Sequence, residues 1–177
     1  MKVTLIVIAI LLLTACSSAS SGQQTANQSS TSKAAQGAKT GDARYEVKVM
    51  RNGAGLASYS QTGSRPTTLY DGRSMIMFLN SPDDKHILTV SLQAARAGAY
   101  PLATEGGAPK QDEARLEFMS ENAPVVLIAE KGELKIEEFD EKTCSGTFAG
   151  TGTDIKGVKF AIEGSFSNMG VKNVAGK

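Results

Sequence analysis

Tryptophan is absent from the 177 residues, histidine occurs once and cysteine twice. Two cysteines exclude a disulfide-dense scaffold, and one His with two Cys leaves a four-ligand structural zinc site incomplete. An excess of one charge is missing as well. The 19 Lys+Arg and 18 Asp+Glu give a formal net charge of +1, without the basic footprint that a nucleic-acid-binding domain carries. No apolar run approaches the roughly 20 residues of a membrane-spanning helix. The longest, Val3 to Leu13, holds eleven residues and is interrupted only by Thr4. The charged fraction of 21% is ordinary for a folded protein, which argues against disorder throughout.

What is present begins with an address. Met1-Lys2 carries a positive charge, the short apolar run follows, and Leu13-Thr14-Ala15-Cys16 closes it. A charged start, a short apolar stretch and small residues before a cut site are the anatomy of a secretory signal peptide. The Leu-Thr-Ala-Cys sequence resembles the lipobox of bacterial lipoproteins. That resemblance implies removal of residues 1–15, acylation of Cys16 and a mature chain that starts there. Ser17 follows the cysteine, where lipoproteins kept at the inner membrane commonly carry Asp, so the implied destination is the outer membrane, facing the periplasm. With near-zero net charge no polybasic patch assists attachment. The anchor is then the lipid alone, and durable binding requires more than one acyl chain.

Residues 17–42 are almost wholly Ser, Ala, Gln, Thr, Gly, Asn and Lys, with no aromatic residue and no Val, Ile, Leu or Met. Such a segment buries too little apolar surface to offset its backbone entropy, so 16–42 reads as an acylated cysteine and a flexible tether. Its expected end-to-end distance is roughly 28 Å, with an extended limit of about 90 Å.

From Ala43 the composition changes, and all 4 Tyr and 6 Phe lie beyond it. The remaining residues, 43–177, fit one domain. Its dominant period is two. Tyr45, Val47 and Val49 alternate with Arg44, Glu46 and Lys48, and Val158, Phe160, Ile162 and Phe166 alternate with Lys159, Ala161, Glu163 and Ser165; both segments predict half-buried strands. Leu88, Val90 and Leu92 form another, as do Leu134, Ile136 and, after a slip, Phe139. Met75–Leu79 and Val125–Ala129 are continuous apolar runs, which suit strands buried on both faces or central in a sheet. Turn signals separate them: Asn52-Gly53, Asp71-Gly72, Ser81-Pro82-Asp83-Asp84, Gly106-Gly107, Lys131-Gly132 and Asp140-Glu141-Lys142. The pattern predicts an all-β fold, an antiparallel β-sandwich or barrel. Ser91 to Arg96 is the one segment that suggests a helical turn, and Asn173 to Lys177 reads as a frayed end.

Gly98-Ala99-Tyr100-Pro101-Leu102, Gly132 to Asp140, Gly146-Thr147-Phe148 and Ile162-Glu163-Gly164-Ser165-Phe166 resemble, in that order, a pattern of uncharacterised β-sandwich domains in bacterial lipoproteins. The resemblance implies the fold and carries no catalytic set. Each piece has its own local reason: Gly132 turns a hairpin, and Gly164 relieves crowding beside Phe166.

The chemistry-bearing residues are few. A Ser-His-Asp enzyme could use only His86, and no Gly-x-Ser-x-Gly elbow is present. Cys144 with His86 would make a Cys-His cell-wall enzyme. Sortase-like members need an Arg after the Cys, however, and the last Arg here is Arg115. The plainer expectations are a half-buried Cys144 and a solvated His86 beside Asp83, Asp84 and Lys85. Glu137 and Glu138 are adjacent on a strand and point to opposite faces, so they do not pair for glycoside hydrolysis. Asp83-Asp84 lacks the spaced ligands of a calcium loop. Gly146 to Asp154 is glycine-rich but lacks the Lys-Ser/Thr of a phosphate loop, and reads as a strand with a wide, flexible hairpin end. No metal or cofactor is expected. Arg65, Tyr70 and Arg73, in a turn-rich stretch, are the candidate exposed recognition loop.

These features point to a lipid-anchored envelope lipoprotein acting as a non-catalytic binding or structural module. Its partners would be the membrane, through the acyl chains, and an envelope protein or small ligand, with no nucleic acid. An inhibitor or immunity-type lipoprotein that blocks an envelope-directed enzyme is the alternative, and the Cys-His enzyme stands third. Replacing Cys16 by Ala is expected to abolish acyl labelling and release the chain from the membrane fraction. Unchanged membrane fractionation would refute the anchor.

Overall fold

The structure, a computed structural model, describes residues 41–63, 67–104, 107–122 and 126–175. The expected signal peptide, Cys16, nearly all of the tether, and Arg65 lie outside them. Among the described residues every regular element is a strand: β1 (Arg44–Arg51), β2 (Ala54–Thr62), β3 (Thr67–Tyr70), β4 (Met75–Asn80), β5 (His86–Leu92), β6 (Gly98–Pro101), β7 (Ala114–Ser120), β8 (Val126–Ile128), β9 (Lys131–Phe139), β10 (Thr143–Thr153) and β11 (Lys159–Asn173).

The strands form one curled sheet in the order β6-β9-β10-β11-β3-β4-β5-β7-β8, with β1 and β2 branching from β11. The all-β expectation holds. Pairing is antiparallel except between β11 and β3, where Val171, Lys172 and Asn173 run parallel to Thr68, Leu69 and Tyr70, and at a bridge between Leu102 and Ala114. The parallel pairing arises because β11, at 15 residues, is longer than the strand it first pairs with. Its first part, Phe160 to Ser167, pairs with β1, and its last three paired residues cross to β3. The change of partner falls around Asn168, whose φ of 52° lies in the left-handed region, one that Asn tolerates better than most side chains. On the neighbouring strand the register of β10 with β11 shifts between Cys144 and Gly146. Ser167 and Asn168 of β11 there oppose the single Ser145 of β10, whose Oγ accepts the Asn168 N–H at 3.1 Å. A bulge bends the strand and increases its twist, and here it turns β11 from one half of the sheet into the other.

The two halves face each other across the core. Tyr45, Val47 and Val49 of β1 and Phe160, Ile162 and Phe166 of β11 meet Met75, Met77 and Leu79 of β4, Leu88, Val90 and Leu92 of β5, and Leu116 and Phe118 of β7. Each such side chain, fully buried, stabilises the fold by roughly 1.5–3 kcal/mol relative to exposure. Gly164 is required by close approach. A Cβ there would lie 2.1 Å from the Glu46 carbonyl oxygen and 2.4 Å from Phe148 Cζ, so the ring it makes room for is that of Phe148 and not the expected Phe166.

The turns are built by asparagine and aspartate. Asn52 and Gly53, both with positive φ, form the two-residue loop between β1 and β2 that a right-twisted hairpin favours. Asp71 Oδ1 accepts the N–H groups of Arg73 and Ser74, and Asp140 Oδ1 those of Lys142 and Thr143. Asp154 accepts Lys156 and Val158 N–H through Oδ1 and the Arg51 guanidinium through Oδ2. The Val158 N–H, then Arg51, hold its carboxyl below the usual carboxylate range. The glycine-rich Gly146 to Asp154 stretch is accordingly strand up to Thr153 and ends in a pinned turn, not a wide flexible one.

Two further expectations are corrected. Gln93 to Ala97 bends without forming a helical turn, because the alternating residues of β5 continue in extended form to Leu92. The C-terminal end is tied down through Val174, since Asn173 pairs with Tyr70 and the Val174 N–H donates to the Tyr70 carbonyl at 2.7 Å.

Asn168→Val should destabilise the fold by about 1–2 kcal/mol, the cost of a left-handed conformation for a side chain branched at Cβ, whereas Asn168→Gly should be near neutral or slightly stabilising. Urea denaturation of the three proteins checks this. Equal midpoints for the Val and Gly variants would show that the bend does not depend on this residue.

Candidate binding surface

In β4, β5, β7 and β8 one face of each strand fills the core and the other faces outward. Cross-strand register builds the outward face row by row. Asn80, Ile87, Met119 and Val126 form one row, Phe78, Thr89, Glu117 and Ile128 the next, and Ile76, Ser91 and Arg115 a third. Three apolar members are exposed, Ile76 and Met119 at 40% each and Val126 at 45%, while Phe78, Ile87 and Ile128 are half-buried. The continuous apolar runs of β4 and β8 thus reflect a β4 central in the sheet and a face left open, not strands buried on both sides. Large exposed apolar side chains that share one face are the feature that marks interaction surfaces.

At the end of this face lies a groove of about 280 Å³ lined by Asp84, Lys85, Ile87, Met119, Ser120, Glu121 and Val126. Its floor is the apolar Ile87-Met119-Val126 row, and its rim is charged. Lys85 Nζ sits 3.9 Å from Asp83 Oδ2, and among the described residues no ion pair reaches Asp84 or Glu121 on the rim. A second groove, of about 390 Å³, runs between Ile76, Ser91 and Arg115 and the Gly107 to Pro109 segment. There the Arg115 guanidinium is held by Glu117 at 3.1 and 3.2 Å and by the Gly107 carbonyl at 2.7 Å.

Behind the first groove, the inner face ends in a polar and aromatic layer. His86, the first residue of β5, lies between Tyr59 and Phe118, with ring centroids 6.1 and 5.9 Å apart and nearly parallel planes. It is therefore half-buried in an aromatic stack, not solvated beside its acidic neighbours, because the period of two in β5 turns it inward with Leu88 and Val90. Its cross-strand partner is Ser120, 7% exposed. The Glu121 N–H donates to the Lys85 carbonyl, which makes His86 and Ser120 a pair without mutual backbone bonds, the closer of the two antiparallel spacings. Yet His86 Nδ1 and Ser120 Oγ both lack a hydrogen-bond partner among the described residues. Tyr45 donates to the Asn80 carbonyl, and Tyr59 to that of Leu79 at 2.9 Å. Burial pushes the Tyr59 phenol well above its ordinary value.

The expected recognition loop is not assembled. Arg65 lies outside the described residues. Tyr70 is 6% exposed, its ring set edge-on against Phe139 at 5.2 Å, because alternation in β3 points it into the core with Thr68. Only Arg73, on the turn after β3, is exposed. Tyr45 and Tyr100 are core residues as well, the latter donating to the Ala94 and Arg96 carbonyls at 2.9 and 2.8 Å. Glu137 and Glu138 are both exposed, beside the register shift of β9 against Ser145 and Gly146. Among the described residues no cluster of His, Cys, Asp or Glu could hold a metal ion, and no helix is long and apolar enough to cross a membrane.

Cys144 is fully buried rather than half-buried, and burial pushes its thiol up to about 12. It lies on β10, with β11, β3 and β4 between it and the strand of His86 in sheet order. A thiol raised this far does not ionise between pH 7 and 9, where an ordinary one does. Iodoacetamide should therefore leave Cys144 unmodified in the native protein across that interval and label it rapidly in urea; native labelling that climbs towards pH 9 would show an accessible thiol.

No family model matches the chain, nor does any curated protein or solved structure, so no residue role is carried over from a relative.

Proposed function

We propose that the chain is a lipid-anchored lipoprotein of the cell envelope, acylated at Cys16 and facing the periplasm from the outer membrane. In this reading its β domain is a non-catalytic module that binds an envelope protein. The observation that carries the binding role is the open groove at Ile87, Met119 and Val126 with its acidic rim. Three features of the groove narrow the occupant. Its volume of about 280 Å³ is below the roughly 300–1,000 Å³ of sites that enclose a small molecule, which favours one or two side chains of a larger partner. Its floor is apolar. Asp84 and Glu121 complement a positive charge, so a segment with an apolar side chain next to Lys or Arg fits best.

The alternative of an inhibitor that inserts an exposed loop loses its expected device with Tyr70 in the core. The Cys-His reading lacks an accessible thiol, since Cys144 is sealed and its ionisation suppressed. The lipobox residues Leu13 to Cys16, together with Ser17, support the location, and the Ser/Ala/Gln-rich composition of 17–42 supports a tether.

A photo-cross-linking amino acid at position 119, in cells with intact envelopes, tests the groove, with position 133 on β9 as an exposed control. A discrete cross-linked protein is expected from 119 and not from 133. With the probe at 126, Met119→Lys or Glu121→Lys should lower its yield at least tenfold, while circular dichroism stays unchanged. Equal capture from 119 and 133, or insensitivity to both lysine variants, would overturn the assignment.

A further inference from the structure

We propose that β2 is a self-association edge, which pairs antiparallel with β2 of a second copy of this chain across a two-fold axis. The inference stands apart from the groove. Of the strands at the margins of the curled sheet, β6 and β8 are short, with four and three residues, and the chain just beyond each is tied across the gap. The chain beyond β6 bridges to β7 through Leu102 and Ala114, and the chain beyond β8 bonds to β10 through the Glu130 N–H and the Thr151 carbonyl at 2.9 Å. Among the described residues β2, at nine residues, pairs with β1 alone.

Backbone parity identifies the groups left over. The Gly63 N–H donates to the Ala43 carbonyl, which sets Arg44 and Thr62 as a pair without mutual bonds. By alternation, Ala57, Tyr59 and Gln61 bond to β1 through their backbones. The N–H and C=O groups of Ser58, Ser60 and Thr62 then point away from β1, and all three residues are exposed. An edge of this kind is a template for another strand, and proteins usually blunt it with charge or proline. Ala54–Thr62 has neither, over nine residues.

The absence of charge is what selects a second copy. A strand that meets itself antiparallel sets like residues near like, so charged positions would repel, whereas small hydroxyl side chains opposite one another are compatible and can hydrogen-bond. Centring the axis on Ser60 sets Ser60 against its own copy and Ser58 against Thr62. All of these are outward-bonding residues, so the ladder closes without a bulge. The pairing area of a single strand is below the roughly 1,200 Å² of a standard stable interface. The dimer is accordingly weak in dilute solution and favoured where copies are confined to one membrane.

The test uses the full chain in intact envelopes. Cys144 is buried and Cys16 is acylated in the proposed reading on which this test rests, so Ser60→Cys supplies the reporting thiol and Glu133→Cys the exposed control, while dimer from the unsubstituted chain reports any free Cys16. Across an antiparallel pair the Cα separation of about 5.5 Å is within disulfide reach. Oxidation should yield a species of twice the chain mass from Ser60→Cys, at least tenfold above Glu133→Cys. Adding Ser58→Lys should lower that yield at least tenfold without changing the circular dichroism. Dimer no more abundant from position 60 than from 133, insensitivity to Ser58→Lys, or cross-linking of position 60 mainly to a different protein would each overturn the proposal.

Discussion

The fold depends on one strand belonging to both halves of the sheet. β11 runs alongside β10 for nearly its whole length, but on its other side it pairs with β1 before Asn168 and with β3 after it. If the bend were lost, β3 and the strands built on it would have no edge to start from, and Met75, Met77, Leu88 and Leu116 would have no facing layer to bury them. The bend is held by a left-handed Asn168, the bulge of β11 to which it belongs and one hydrogen bond from its N–H to Ser145 Oγ. The local cost of the left-handed residue is about 1–2 kcal/mol, and the apolar burial it permits exceeds that many times over. The strained conformation therefore persists because the packing on both sides over-determines it.

Much of this architecture was legible in the sequence because period two and turn chemistry are local. The strands around Val47, Val90, Leu134 and Ile162 follow from alternation, and Asn52-Gly53, Asp71-Gly72 and Asp140 to Lys142 form the turns their residue types require. Even the slip before Phe139 is physical, since it coincides with the shifted pairing of β9 with β10. β2, β3 and β6 give no clear signal, whereas in β7 Leu116 and Phe118 alternate with Arg115 and Glu117. β2 consists mainly of small and hydroxyl residues, with too few large apolar side chains to show a face, and β3 and β6 have only four residues each. The partner change in β11 is a long-range event with no local mark except an Asn in a strand.

The candidate binding surface differs from the sequence expectation for another reason. Met75–Leu79 and Val125–Ala129 are uninterrupted apolar runs, and hydrophobicity alone does not say whether the second face meets protein or water. That face lacks a cover among the described residues, so Ile76, Met119 and Val126 remain exposed. Met119 had no signal of its own, because it completes the row only through its register with Ile87 and Val126. Tyr70 failed in the opposite direction. An aromatic residue flanked by turns resembles a contact residue, but alternation within β3 turned it towards Phe139. In both cases what decided the matter was which face of a strand is covered, a property of topology.

Topology also relates the groove to the proposed anchor. The chain enters the domain at Ala43, and the hydroxyl of Tyr45 donates at once to the carbonyl of Asn80, at the end of β4. The next residues, Ser81 to Lys85, make the turn that forms one wall of the groove; Ser81 holds it by accepting the His86 N–H at 3.0 Å. The groove and the entry point of the chain are therefore at the same end of the β domain. A lipid at Cys16 on the proposed flexible tether would let the groove reach a partner within the roughly 90 Å that an extended tether of this length allows. β2 ends beside the same entry point, since Gly63 bonds to Ala43, and its open edge runs from there to the opposite end of the domain. Pairing through β2 does not cover the row formed by Ile87, Met119 and Val126 on β5, β7 and β8.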